Sequence, residues 1–450
     1  MSNSMLQSIC QKMQKASQID PELYVKYNVK RGLRNEDHTG VLVGLTRIGD
    51  VVGYRSENGQ IIPIEGQLLY RGYQLDDLVK GFQAENRHGF EEICYLLLAG
   101  ELPNHSELQY FSDYLAQQRE LPENFTNQML LNLVSSDMMN MLARAVLALY
   151  TDDPQPEDRS EENLISQSLS LIAKFPTIVA HSYNAYRHTY QQKTLSIRHP
   201  HKELSIAENF LYMLKGDRYT KLEADMLDLA LVTHAEHGGG NNSTFTLRVT
   251  SSTGTDTYSA IAAAIGSLKG PYHGGANRKV MEMMTDIKKN LKNWDDRNAV
   301  ADYLMKILKK EIGDRNGKIY GFGHAVYTLS DPRVKILKSK AAELATEKNR
   351  LEEFHLYNLV EEIAPQVFAD FKGREKSKIV CANVDFYSGF VYSCIGIQPE
   401  LYTPIFAVSR LAGWCAHRLE ELNPQSRRII RPAYKNVTPE REYIYMAERG

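Results

Sequence analysis

The chain has 450 residues, 43% hydrophobic and 24% charged, with a net charge of -2 at pH 7. This is the composition of an ordinary globular protein of two or three domains, and so small a charge argues against nucleic-acid binding by bulk attraction. No apolar run approaches the roughly eighteen residues of a membrane span. The polar first twenty residues lack an apolar h-region and any arginine, so neither a signal nor a transit peptide is expected, and the expected location is the cytoplasm. Cys10, Cys94, Cys381, Cys394 and Cys415 form neither a C-x-x-C pair nor a zinc spacing, which suits a reducing compartment.

In chain order, residues 1–30 read as a helical arm. The main strand-like region is 40–64, with Val41-Leu-Val-Gly-Leu, Asp50-Val-Val-Gly-Tyr and Ile61-Ile-Pro-Ile. Asn58-Gly59 between β-type runs is a hairpin signal. From Leu75 onward the periodicity is helical, with segments beginning at Leu75 and Phe90. An exposed linker, 152–162, follows, and Ser160 is placed to cap the next helix. Helices are predicted over 165–190, 204–214, 222–233 and 257–268. Gly270-Pro271 stops the last of these. A new helix begins near Asn277, with its apolar stripe at Val280, Met283, Met284, Ile287 and Leu291. Asp331, Pro332 and Arg333 read as N-cap, N1 and N2 of a helix to about residue 346. Thr403 and Pro404 start another. Lys288-Lys289 and Lys309-Lys310 read as solvated faces. The fold class is mostly α, with a small N-terminal β-hairpin region.

Four glycine-bracketed segments hold the residues suited to chemistry: His237-Gly-Gly-Gly-Asn, His273-Gly-Gly-Ala-Asn, Gly321-Phe-Gly-His324 and Asn383-Val-Asp385-Phe-Tyr-Ser-Gly. Glycine lets backbone and ligand approach closely. His273 precedes a helix N-terminus, whose dipole disfavours imidazolium; it reads either as a neutral donor to a carbonyl becoming an enolate or as a loop histidine. Asp385 reads either as a base of raised pKa among apolar neighbours or as a turn aspartate. Arg333, in a helix's first turn, either binds an anion or pairs with Asp331 at the surface. Arg410, among apolar residues, must snorkel, pair or bind an anion. Several arginines with three histidines fit a small polycarboxylate, since guanidinium forks onto carboxylate. His234 and His237 lie three apart beside Glu236, but no further ligand is placed by spacing and no metal is expected.

Together these segments resemble the citrate synthase family. So do Lys30-Arg-Gly-Leu-Arg-Asn, Glu65-Gly-Gln-Leu-Leu-Tyr-Arg-Gly-Tyr and Lys269-Gly-Pro-Tyr-His-Gly-Gly-Ala-Asn. The resemblance implies a helical homodimer. Residues 1–274 would form the first part of a large domain, 275–396 a small domain, and 397–450 the return to the large domain with a C-terminal arm. It further implies condensation of acetyl-CoA with oxaloacetate and water to citrate and CoA, without a permanently bound cofactor. Asp385 would be the base, His273 the enol-stabilising donor and His324 the acid on the keto group. His237, Arg333 and Arg410 would hold oxaloacetate, with Arg431 reaching in from the partner subunit. Gly321, Gly323 and Asn383 match the CoA-facing region. Two departures stand out: Thr328 replaces a residue that is basic in some members, and Ala382 replaces a common proline. The N-terminal arm does not resemble the cysteine-bearing regulatory domain of some relatives, so NADH inhibition is not expected. The alternatives are a 2-methylcitrate synthase using propionyl-CoA and, more distantly, a non-catalytic helical dimer sensing polycarboxylates or CoA.

Overall fold

The structure is a computed structural model that describes residues 3–449, apart from 38, 58–59, 374–378, 424 and 426–427. The chain divides into two compact units, 1–45 and 46–450. The first holds α1 (Asn3–Ala16) and α2 (Pro21–Lys26). Asp20 caps α2 by accepting the Glu22 N–H at 2.9 Å. The predicted strand at 41–45 does not form: Leu42 and Leu45 are 84% and 88% exposed and no ladder includes them. β propensity expresses itself only where a paired, half-buried surface is available.

The second unit opens with β1 (Gly49–Glu57) and β2 (Gln60–Tyr70), antiparallel from Gly49 opposite Tyr70 to Glu57 opposite Gln60, and a short β3 (Tyr73–Gln74). The Asn58-Gly59 turn lies outside the described residues. β2 runs past Ile64, where the sequence reading ended it, because the inward alternation continues through Leu68 and Tyr70, both buried. The hairpin presses on the loop that follows His324. A Cβ at Gly66 would lie 2.2 Å from the Ser330 carbonyl oxygen, and one at Gly53 2.5 Å from that of Val326. Gly66→Ala is therefore expected to lower stability by about 1–3 kcal/mol in thermal melts. An unchanged Tm would contradict this close approach.

The helices α3 (Leu75–Ala84), α4 (Phe90–Ala99), α5 (His105–Gln117), α6 (Met138–Leu149) and α7 (Glu161–Gln191) come next. They are followed by α8 (Ile206–Lys215), α9 (Lys221–His234), α10 (Asn242–Ser252) and α11 (Thr257–Lys269). Asn104, Ser205 and Thr220 begin α5, α8 and α9 with reciprocal capping boxes, and Ser160 caps α7 as its position predicts. The remaining helices are α12 (Ala276–Asn290), α13 (Arg297–Leu308), α14 (Pro332–Glu347), α15 (Leu351–Lys372), α16 (Val384–Ile395) and α17 (Tyr402–Glu421). α17 is central: it packs on α4, α7, α9, α10 and α11 and buries Trp414 completely. α14 and α16 pack on each other and on α9, and α12 packs on α16 and α17. The site-bearing loops lie at these junctions. Lys288 departs from the solvated-face reading: it is half-buried and meets Glu353 at 2.5 Å, tying α12 to α15. Among the described residues no helix is long and apolar enough to cross a membrane.

Candidate active site

Two loops are zipped together by backbone. Phe322 and Ala382 form an isolated antiparallel bridge; the Gly323 N–H donates to the Cys381 carbonyl at 2.9 Å and the Asn383 N–H to that of Gly321 at 2.8 Å. Gly321 and Gly323 have φ of +82° and +86°, a region other L-residues rarely adopt, and a Cβ at Gly321 would meet Phe386 at 2.8 Å. Asn383 adds a side-chain clasp, donating to the Gly323 carbonyl at 3.0 Å while capping α16 through the Asp385 N–H at 3.1 Å. The zip brings the loops of His324 and Asp385 to one pocket. Asp385 is no turn aspartate; it occupies the first turn of α16 and opens on the pocket. Burial pushes its carboxyl up to about 6, with Arg333 and Arg410 opposing and Asp331 assisting.

Arg333 is buried, contrary to the surface alternative, and it does pair with Asp331. Its Nε and a terminal amino group donate to the two Asp331 oxygens at 3.0 and 2.7 Å. Asp331 also accepts the Val384 N–H at 3.2 Å, so one buried carboxylate joins the start of α14 to the start of α16. Burial opposes the Arg333 charge, but Asp331 holds its pKa above the usual value. Arg410 is fully buried on α17; its Nε donates to the His234 carbonyl at 2.7 Å.

His324 and His237 meet at 2.9 Å through their Nε2 atoms. The His324 Nδ1 accepts the N–H groups of Val326 and Tyr327 at 3.0 and 3.1 Å. That acceptor role places the proton of a neutral His324 on Nε2, the atom that meets His237. His237 is held well below the ordinary imidazole range by burial and then by Arg333, His324 and Arg410. His273 lies in the turn between α11 and α12, pinned by the Thr403 hydroxyl, which donates to the Gly274 carbonyl at 2.9 Å. Burial and the field of Arg410 push His273 down to about 4.

All of these groups line one pocket: His237, His273, His324, Arg333, Asn383, Asp385 and Arg410. Gly321 and Gly323 are not in its lining; they shape the loop. Arg431 stands apart, exposed in the extended C-terminal segment. The sequence reading passed over further lining residues, among them Asn277, Tyr392, Tyr402 and Phe406, and weighed His234 only as a metal ligand. Tyr392 falls seven residues after Asp385, on the same helix face, which is the one signal the sequence offered. His234 packs its ring on Phe406 at 4.7 Å. Among the described residues, no cluster of three or more His, Cys, Asp or Glu is gathered that could hold a metal.

Buried polar atoms normally find partners. Here seven without one belong to lining residues: His234 Nδ1, His237 Nδ1, His273 Nε2, Asn277 Oδ1, Tyr392 Oη and both terminal amino groups of Arg410. A basic carboxylate, neutral imidazole donors and a buried guanidinium can together receive a carboxylate, remove a proton from carbon and hydrogen-bond the oxygen that gains charge.

Fold and site define a mostly helical protein with a buried acid–base pocket shaped for a small anion. The chain belongs to the citrate synthase family: residues 37–433 match the family model described as citrate synthase, C-terminal domain. It is 36% identical over 409 residues to a citrate synthase of Haloferax volcanii, covering 90% of this chain and 94% of that one. It is 34% identical over 414 residues to 2-methylcitrate synthase 1 of Corynebacterium glutamicum, covering 89% and 97%. Among solved structures, it superposes with a TM-score of 0.75 and 28% identity on the Thermoplasma acidophilum citrate synthase in ternary complex with carboxymethyl coenzyme A and oxaloacetate, covering 94% and 99%.

Proposed function

We propose that this chain is a citrate synthase, an acyltransferase that condenses acetyl-CoA with oxaloacetate and water to give citrate and CoA. The observation that carries this reading is the convergence of unpartnered buried donors around one carboxylate of raised pKa. His237, Arg333 and Arg410 hold the carboxylates of oxaloacetate, and Arg431 of a partner subunit completes the cradle in a homodimer. Asp385 takes a proton from the acetyl methyl group. Neutral His273 donates from Nε2 to the thioester oxygen, which becomes the enol oxygen. The enol carbon attacks the keto carbon while His324, exchanging its Nε2 contact with His237 for one to the keto oxygen, polarises that oxygen and gives it the proton of the new alcohol. Water then cleaves the thioester, one of its protons restoring His324, and CoA leaves as the thiol with the proton that Asp385 had taken. No resident cofactor is needed. Gly321, Gly323 and Asn383 border the CoA path, and closure of 275–396 on the rest excludes water until condensation is complete. The proposed location is the cytoplasm.

The acid–base assignment sets the pH dependence. Asp385 acts only as a carboxylate, so kcat/KM is expected to fall about tenfold per unit as pH drops below about 6. His273 stays neutral down to about 4 and adds no loss in that window. A profile that stays flat to pH 4.5 would contradict the raised base.

The 34% identity to a 2-methylcitrate synthase supports propionyl-CoA as a second donor. One methylene in an apolar slot is discriminated by only about 1–3 kcal/mol. Measured with oxaloacetate, kcat/KM is expected to favour acetyl-CoA over propionyl-CoA; the reverse order would reassign the chain as a 2-methylcitrate synthase.

A further inference from the structure

Glu236 precedes His237 and is fully buried, yet its carboxylate turns away from the pocket. It enters a slot between β1 and α17. Oε1 accepts the Gly238 N–H at 2.5 Å and meets His417 Nε2 at 2.9 Å, while Oε2 has no hydrogen-bond partner. Both walls of the slot are glycine for a reason. A Cβ at Gly49 would lie 2.6 Å from Glu236 Cγ, and one at Gly413 2.5 Å from Oε2.

Arg410, Gly413 and His417 fall at i, i+3 and i+7 on α17, so they share one helix face. The carboxylate therefore lies over Gly413, with His417 one turn to one side and Arg410 one turn to the other. Arg410 is the group that needs an anion. It is fully buried, with only Nε bonded and both terminal amino groups unpartnered where it lines the pocket. A buried cation without a counter-charge is costly. Burial pushes Arg410 down to about 10, and Glu236 is the first charge opposing that fall. Despite its own burial, Glu236 stays below its ordinary range through His417 and Arg410.

We propose that Glu236 is the resident counter-charge of Arg410, facing it across Gly413 without a direct ion pair, and a positioning residue for His237, and that a substrate carboxylate becomes the direct partner of the guanidinium on binding. This rests on Arg410 receiving a carboxylate of oxaloacetate, as proposed above. The Gly238 bond fixes the turn that aims His237 at His324, and the charge keeps Arg410 ionised before the keto acid arrives.

Glu236→Gln keeps the shape and an acceptor for Gly238 while removing the charge. The unliganded variant then carries a less compensated guanidinium, and ligand binding relieves a larger penalty. The expected results are a lower Tm without ligand, a larger thermal shift with oxaloacetate than in the wild type, and oxaloacetate bound about tenfold tighter by calorimetry. Glu236→Asp, which keeps the charge, should return the affinity to the wild-type range. Equal or weaker oxaloacetate binding by Glu236→Gln overturns the proposal and leaves Glu236 as a spacer. If the variant is unfolded without ligand, refolding with oxaloacetate must recover it, and failure to do so also counts against the proposal. A wild type that shows neither binding heat nor a thermal shift with oxaloacetate overturns the assignment of Arg410 itself. Wild-type binding with an unaltered variant overturns only the role of Glu236.

Discussion

Asp385→Asn is expected to lower kcat about 10³-fold while oxaloacetate affinity stays near that of the wild type. The amide keeps the volume of the side chain in the first turn of α16 and the cap from Asn383, so the pocket keeps its shape. What it loses is the basic oxygen, and burial among protein groups is what made that oxygen basic at working pH. Two other groups of the pocket cannot replace it: His273 is pushed down to about 4, too weak a base, and His237 is held below its ordinary range. The measurement is steady-state turnover beside calorimetry with oxaloacetate. Turnover within tenfold of the wild type would remove Asp385 from the mechanism.

Arg410→Leu is expected to weaken oxaloacetate binding about 100-fold, the range observed when one partner of a buried charge pair is truncated. The free protein should still fold but melt lower than the wild type, because the His234 carbonyl loses its donor and Glu236 loses one of the two cations that compensate it, keeping only His417. Loss of affinity in protein that remains folded at the assay temperature separates a binding role from a packing role. Unchanged affinity by calorimetry refutes the assignment.

Much of the site was legible because its chemistry needs residues that leave a local mark. Glycines flank His237, His273 and His324 because a backbone turns sharply or comes close there, and Gly321 and Gly323 confirm the reason with positive φ. Asp331 and Pro332 wrote the start of α14 in plain capping chemistry. The rest of the site depends on contacts between distant positions. Asn277 and Ser388 meet at 2.5 Å across 111 residues, and Glu236 and His417 across 181; no periodicity encodes either pair. Arg333 illustrates the middle case. The sequence offered pairing or anion binding as alternatives, and the fold gives a buried arginine that pairs with Asp331 and still lines the pocket. The 41–45 segment shows the converse: a strong β-type pattern formed no strand because strand formation needs a neighbour, which local sequence does not report.

The central claim is that one carboxylate and two imidazoles act together on a thioester and a keto acid. It is tested most directly by following thiol release from acetyl-CoA with the purified protein, with and without oxaloacetate. The account predicts steady thiol release only when oxaloacetate is present, with citrate formed in equal amount. Folded protein that binds oxaloacetate but releases no thiol would contradict it and leave a polycarboxylate-binding protein in its place.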